Sequence, residues 1–159
     1  DPRGNAMASL TVNLAQEPLL VDDPALEWQE LSVSALGLAV DYYESTDAYL
    51  ALHPGAVVGT VTSAGAEAVA AGSATAPDAS AEFSGRVLEA EYRTSALTGQ
   101  RFIHVSVDAA FPFDVCLPDG ELPARDSVIA GTAVMAGSIP TPTGDGCGGC
   151  GGSCGCGGH

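Results

Sequence analysis

The feature that most constrains this fold is the alternation of apolar and polar residues in the second half of the chain. The segments 101–108 and 112–118 each place apolar residues at every second position. Because successive residues of a strand point to opposite faces, this spacing predicts two strands that each bury one face. The residues predicted to face the core are Ile103, Val105, Val107, Phe113, Val115 and Leu117.

Further segments have the composition of strands and predict an all-β fold. Segment 31–43 is rich in apolar and aromatic residues, and its alternation changes phase near Leu36–Gly37, which predicts a β-bulge. Segment 127–139 predicts a last, largely apolar strand, and a helical turn is expected over 23–31, with Trp28 against the core. The other predicted strands are 10–14, 47–55, 56–65 and 85–94, the last with Leu88, Ala90 and Tyr92 on one face. With about seven or eight short strands, we expect a small sandwich or an OB-like barrel.

The chain is long enough for one ordinary domain, which we place at 7–143, followed by a Gly- and Cys-rich tail at 144–159. The segments 7–65 and 83–139 each contain a short strand ending in Pro, a loop, and a strand with Gly-Thr and Ala-Gly. We therefore expect either two related halves or a chance match in an Ala-, Gly- and Val-rich chain. The small residues of 66–82 predict a linker or a short Ala-rich helix between these halves.

The charge balance is strongly acidic, with 20 Asp and Glu residues against 5 Arg, no Lys, and a net charge of -15. Nucleic acids and anionic lipid surfaces are bound through Lys and Arg side chains that neutralise phosphates. The composition therefore argues against both kinds of partner. A cationic partner, a metal ion or solubility remain as explanations of the charge.

The sequence contains no apolar segment that approaches the ~20 residues a transmembrane helix needs, so no membrane span is expected. No signal peptide is evident at the N-terminus, which favours a cytoplasmic location. Met7 fits an initiator methionine, whereas Asp1 fits a mature N-terminus left after export. These two interpretations imply different compartments.

The tail (residues 144–159) has the spacing Cys-x2-Cys-x3-Cys-x-Cys-x2-His. Cys-x2-Cys lets two thiolates turn onto one metal ion, and glycines permit the backbone conformations that this needs. Four thiolates and an imidazole suit a tetrahedral Zn²⁺ site or Cu(I). The predicted ligands are Cys147, Cys150, Cys154 and Cys156, with His159 as a spare or fifth donor.

Two other interpretations of the tail stay open. In the first, the β domain is a structural or accessory subunit, and the tail packs or cross-links within a larger assembly or between copies of the chain. In the second, the run GGCGGSCGCGG resembles the core regions of ribosomal peptides whose Ser and Cys residues are cyclised to azoles. That resemblance implies a precursor of a modified peptide.

The sequence shows no catalytic constellation, so a non-enzymatic protein is expected. It has no phosphate-binding glycine loop between a strand and a helix, no nucleophile elbow and no zinc-protease helix. Cys116 and His104 fall on the outward faces of their strands, where they could form a Cys/His pair or join a metal site reached by the tail. His53, before Pro54, is interpreted as a turn residue.

Overall fold

The computed structural model describes residues 5–15, 30–73 and 76–140, and within them the chain is mostly β. The all-β fold predicted from the alternation is therefore confirmed. The predicted helical turn with Trp28 and the tail lie outside the described residues. The strands are β1 (Asn13–Leu14), β2 (Ser32–Tyr43), β3 (Thr60–Thr62), β4 (Ser80–Thr94), β5 (Arg101–Asp108), β6 (Pro112–Pro118) and β7 (Val128–Ser138), and the helices are α1 (Thr46–Leu52) and α2 (Ala64–Ala70).

Five of the strands form a closed barrel. Strands β4, β5 and β6 make an antiparallel meander, β2 pairs in parallel with β6, and β7 pairs antiparallel with both β2 and β4. The cyclic order is therefore β2-β6-β5-β4-β7, and the short strands β1 and β3 extend the sheet beside β7 and β4. These are the pairings of an OB-like barrel with one change of order. The strand that comes last in the usual OB order, here β2, comes before the other four barrel strands in this chain.

The barrel interior combines large apolar side chains from β4, β5, β6 and β7 with small residues on β2 and β7. One layer joins Val105 of β5, Val115 of β6, Ala35 of β2 and Met135 of β7 through successive register pairs. All four are buried, as are the six residues that the alternation predicts to face the core. A five-stranded barrel is narrow, so Ala and Gly on β2 and β7 leave the room that the larger residues occupy.

Two β-bulges adjust which residues face the interior. The pairing of β2 with β7 shifts between Gly37 and Ala39, so the bulge predicted near Leu36–Gly37 is confirmed. A second shift, which the sequence did not indicate, lies at Leu88 of β4. It leaves Val87 fully buried and Leu88 only partly buried. The predicted apolar face of this strand is therefore wrong at Leu88, because an inserted residue reverses the alternation.

Two predicted strands are wrong over most of their length. Segment 47–55 forms α1, where the Ser45 side chain accepts a hydrogen bond from the amide of Ala48 at 3.1 Å. Segment 56–65 contributes only β3 and then enters α2, which Ser63 caps in the same way. A Ser cap followed by Ala- and Leu-rich sequence stabilises a helix start, and this signal competes with the apparent alternation.

The segment between the proposed halves is partly helical. Of the two structures expected for 66–82, the short Ala-rich helix is observed, since α2 extends to Ala70. The two halves contribute to one barrel, because β2 lies between β6 and β7. Residues 49–52 are helical whereas 113–118 are a strand, so these two segments do not share a secondary structure. A common origin of the halves stays a prediction.

Candidate functional sites

The residues predicted to bind a metal lie outside the described part of the chain. They are Cys147, Cys150, Cys154, Cys156 and His159. Within the described ranges, no group of three or more His, Cys, Asp or Glu side chains is placed to hold a metal ion. The predicted Zn²⁺ or Cu(I) site therefore stays a prediction.

Strand pairing brings together Cys116 and His104, the two outward-facing residues singled out in the sequence. His104 of β5 lies opposite Cys116 of β6, and Glu91 of β4 lies opposite His104 on the other side. The His104 Nδ1 is 3.9 Å from Glu91 Oε1, and its Nε2 is 3.5 Å from Asp114 Oδ2. Ser106 Oγ donates to the other oxygen of Asp114 at 2.7 Å. The result is a polar row across the outer face of three strands.

The thiol of Cys116 is not prepared for nucleophilic chemistry. Burial raises the pKa of this thiol and the carboxylate of Asp114 raises it further, while Arg93 acts in the opposite direction. A reactive cysteine needs a lowered pKa, because the thiolate is the nucleophile. The predicted Cys/His juxtaposition is present in the strand register, but its surroundings favour the neutral thiol.

We expect iodoacetamide to label Cys116 more slowly in the folded protein than in the urea-unfolded protein at pH 8. The raised pKa leaves less thiolate at a pH below the ordinary value of 9.0, and burial restricts access. Mass spectrometry follows the reaction in a variant with the four tail cysteines replaced by Ser. Asp114→Asn should speed the labelling, since it removes a negative charge that raises the pKa. Equal rates in the folded and unfolded chains would contradict this account.

A second group of polar residues lines a surface cavity of about 280 Å³ over β2, β7, β4 and β3. Ala130 of β7 pairs with Asp41 of β2 and with Ser84 of β4, and Ser84 pairs with Thr60 of β3. The neighbouring row of the same face consists of Thr132, Glu82 and Thr62. Most of these side chains are small, so they leave an open floor beneath α1. We call this space the α1 cavity.

The wall of the α1 cavity consists of three aromatic rings from α1 and the segments on either side of it. The ring centroids of Tyr49 and His53 lie 4.7 Å apart, and Tyr43 packs edge-on against both. The Tyr43 hydroxyl lies 3.0 Å from His53 Nε2, which is a hydrogen bond. Burial first, and then Asp41 and Tyr49, raise the pKa of Tyr43. Its hydroxyl therefore stays protonated at neutral pH.

The α1 cavity was not predicted, because 47–55 was expected to form a strand and His53 to be a turn residue. One signal was available: a cap at Ser45 begins a helix that places Tyr49 and His53 one turn apart. No comparable sequence signal marks the carboxylates of Asp41 and Glu82 as part of the same site. They come from β2 and β4, which pair with opposite sides of β7, so their proximity depends on long-range pairing.

Comparison with protein-family models, with curated proteins and with solved structures finds no match to this chain.

Among the described residues, neither helix has the length and apolar character needed to cross a bilayer.

Proposed function

We propose that this protein is a non-enzymatic acidic β-barrel protein that binds a soft transition metal through its C-terminal tail. The observation that carries the proposal is the grouping of four cysteines and a histidine within residues 147–159. Thiolates are the ligands that Zn²⁺ and Cu(I) share, and the Cys-x2-Cys spacing suits one ion. The proposed ligands are Cys147, Cys150, Cys154 and Cys156, with His159 as an additional donor.

The described residues support this division between barrel and tail. The last barrel strand, β7, ends at Ser138, so all the proposed ligands lie C-terminal to the barrel in sequence. Cys116 is the single cysteine of the described part, and its surroundings keep it a neutral thiol. Four of the five thiols of the chain therefore lie in the tail. Because thiols lose protons when they ligate a metal, we expect affinity to rise with pH.

Native mass spectrometry of the reduced protein with Zn²⁺ or Cu(I) tests the proposal. We expect the full chain to retain metal and a chain truncated after Pro142 to retain none. A full-length variant with the four tail cysteines replaced by Ser should lose the metal as well. Cys116→Ser is the matched control, since it removes one thiol from the barrel and should leave the metal content unchanged. His159→Ala separates a required ligand from a spare donor.

Two outcomes would overturn the metal proposal. One is a truncated chain that binds as much metal as the full chain, which would place the ligands in the barrel. The other is an intact mass of the natural protein lower by one water and two hydrogens for each cyclised residue. That loss would show azole rings in place of thiols and would favour the modified-peptide precursor.

A second proposal, an accessory subunit that docks on a protein partner, is supported by two exposed leucines. Leu36 and Leu38 lie on the outer face of β2 and are 57% and 60% exposed. Exposed large apolar side chains that lie close together are typical of protein contact surfaces. Size exclusion of the full and truncated chains under oxidising and reducing conditions tests the cross-linking role of the tail in this alternative. If the tail cross-links copies of the chain, only the full, oxidised protein should elute as a larger species.

A further inference from the structure

We propose that the α1 cavity binds a small organic cation that carries a primary ammonium group. This site lies wholly in the described barrel and involves no residue of the tail. It is therefore independent of the proposed metal binding. Four features carry the inference: the charge of the lining, its hydrogen-bond acceptors, its aromatic wall and its size.

The lining carries negative charge without a compensating cation. Asp41 and Glu82 are exposed, and among the described residues no Lys or Arg lines the cavity. Arg86 follows on the same strand as Glu82, but its guanidinium pairs with Asp108 at 3.3 Å and with Asp126 at 3.4 Å. The positive charge of Arg86 is therefore neutralised by carboxylates outside the cavity. A cationic ligand would supply the missing positive charge.

The polar groups of the floor suit an ammonium group better than a metal ion. An ammonium has three donors and no acceptor, and the lining offers two carboxylates and the hydroxyls of Thr60, Thr62 and Thr132. No group of three His, Cys, Asp or Glu side chains converges here or elsewhere in the described ranges. Hydrogen-bond acceptors that are spread along the cavity suit an extended organic molecule with its charge at one end.

The aromatic wall adds a second attraction for a cation. The faces of Tyr and other aromatic rings attract ammonium groups electrostatically, and the attraction grows where water is partly excluded. Tyr43, Tyr49 and His53 fix one another by ring packing and by the Tyr43–His53 hydrogen bond, so the wall is formed before a ligand arrives. A cavity of about 280 Å³ admits a ligand of one ring or a short chain.

The test uses the full-length reduced protein and two probes of the same shape, benzylammonium and its uncharged counterpart benzyl alcohol. Two-dimensional NMR titration at neutral pH and low salt follows the amides of the lining residues. We expect benzylammonium to shift these amides in a saturable way and to bind at least about tenfold more tightly than benzyl alcohol. Asp41→Asn and Glu82→Gln should each weaken benzylammonium binding by about tenfold.

Glu89→Gln is the matched control, because it removes the same charge from β4 at a position outside the cavity lining. It should leave the affinity unchanged, which separates a local site from general attraction to an acidic protein. The proposal is overturned if Glu89→Gln weakens binding as much as Glu82→Gln, or if benzyl alcohol binds as tightly as benzylammonium. It is also overturned if glucose shifts the same amides at lower concentration, which would assign the cavity to a neutral polyhydroxyl ligand.

Discussion

Gly131→Ala is expected to lower the free energy of unfolding by about 4 kcal/mol, which combines backbone strain with overpacking. Gly131 has a φ of 152°, a backbone conformation that L-residues rarely adopt. A Cβ at this position would collide with the carbonyl oxygen of Ala39 and would lie 2.9 Å from the Cα of Val40. Both are backbone atoms of the adjacent strand, so no side-chain rotation relieves the contact. Urea unfolding monitored by circular dichroism measures the loss.

Two other glycines separate the causes of this loss. Gly99 has a φ of 70°, but no described residue lies within 4 Å of an added Cβ, so Gly99→Ala should cost only about 1 kcal/mol of backbone strain. Gly120 has neither a positive φ nor a close neighbour, and Gly120→Ala should change the stability by less than about 0.5 kcal/mol. If Gly131→Ala lowers the free energy of unfolding no more than Gly99→Ala does, then β7 does not approach β2 as closely at Gly131 as the structure shows.

The part of the fold that the sequence predicts best is the part with one strictly buried face. Strands β5 and β6 show an unbroken alternation because their inner residues meet the core and their outer residues do not. The bulge in β2 is predictable for the same reason, since a glycine at a change of phase marks it. The bulge at Leu88 carries no glycine and no polar interruption, so the sequence gives no sign of it.

The candidate sites illustrate what a sequence pattern does not encode. Assigning His104 and Cys116 to outward faces is a local inference, and it agrees with the structure. Their direct juxtaposition depends on the register of two strands, which turn geometry and core packing set together. Asp41 and Glu82 of the α1 cavity lie farther apart in sequence, and β7 must insert between their strands before they share a face. Such proximity follows from topology alone.

Small residues form part of the barrel interior, and the barrel shows how such residues still specify one packing. Ala35 of β2 pairs with Val115 of β6, and Gly37 of β2 lies against the side chain of Leu117. Small residues here do not reflect a weak core. They provide the space into which branched side chains fit, and so large and small positions should depend on each other energetically.

The contact between Leu117 and Gly37 gives the most direct measure of that dependence. Leu117→Ala is expected to cost about 3 kcal/mol, because the side chain is buried and its removal leaves a cavity. Gly37→Ala is expected to cost about 2 kcal/mol by overpacking, because its Cβ would lie 2.5 Å from Leu117 Cδ2. In the double variant the new methyl group occupies part of the vacated space. The double variant should therefore be more stable than the sum predicts, by at least about 1 kcal/mol.

Relief in the double variant should be incomplete, because the Cβ of residue 37 would still lie 3.1 Å from Val40 Cγ2. Leu97 supplies the control, since it is 98% exposed and Leu97→Ala should cost almost nothing. When Leu97→Ala is combined with Gly37→Ala, the two changes in the free energy of unfolding should add, as expected for side chains that share no contact. Urea unfolding of the parent, the three single variants and the two double variants closes both cycles. If Leu117→Ala and Gly37→Ala are additive within about 0.5 kcal/mol, the two residues do not pack against each other and the register of β2 on β6 must differ.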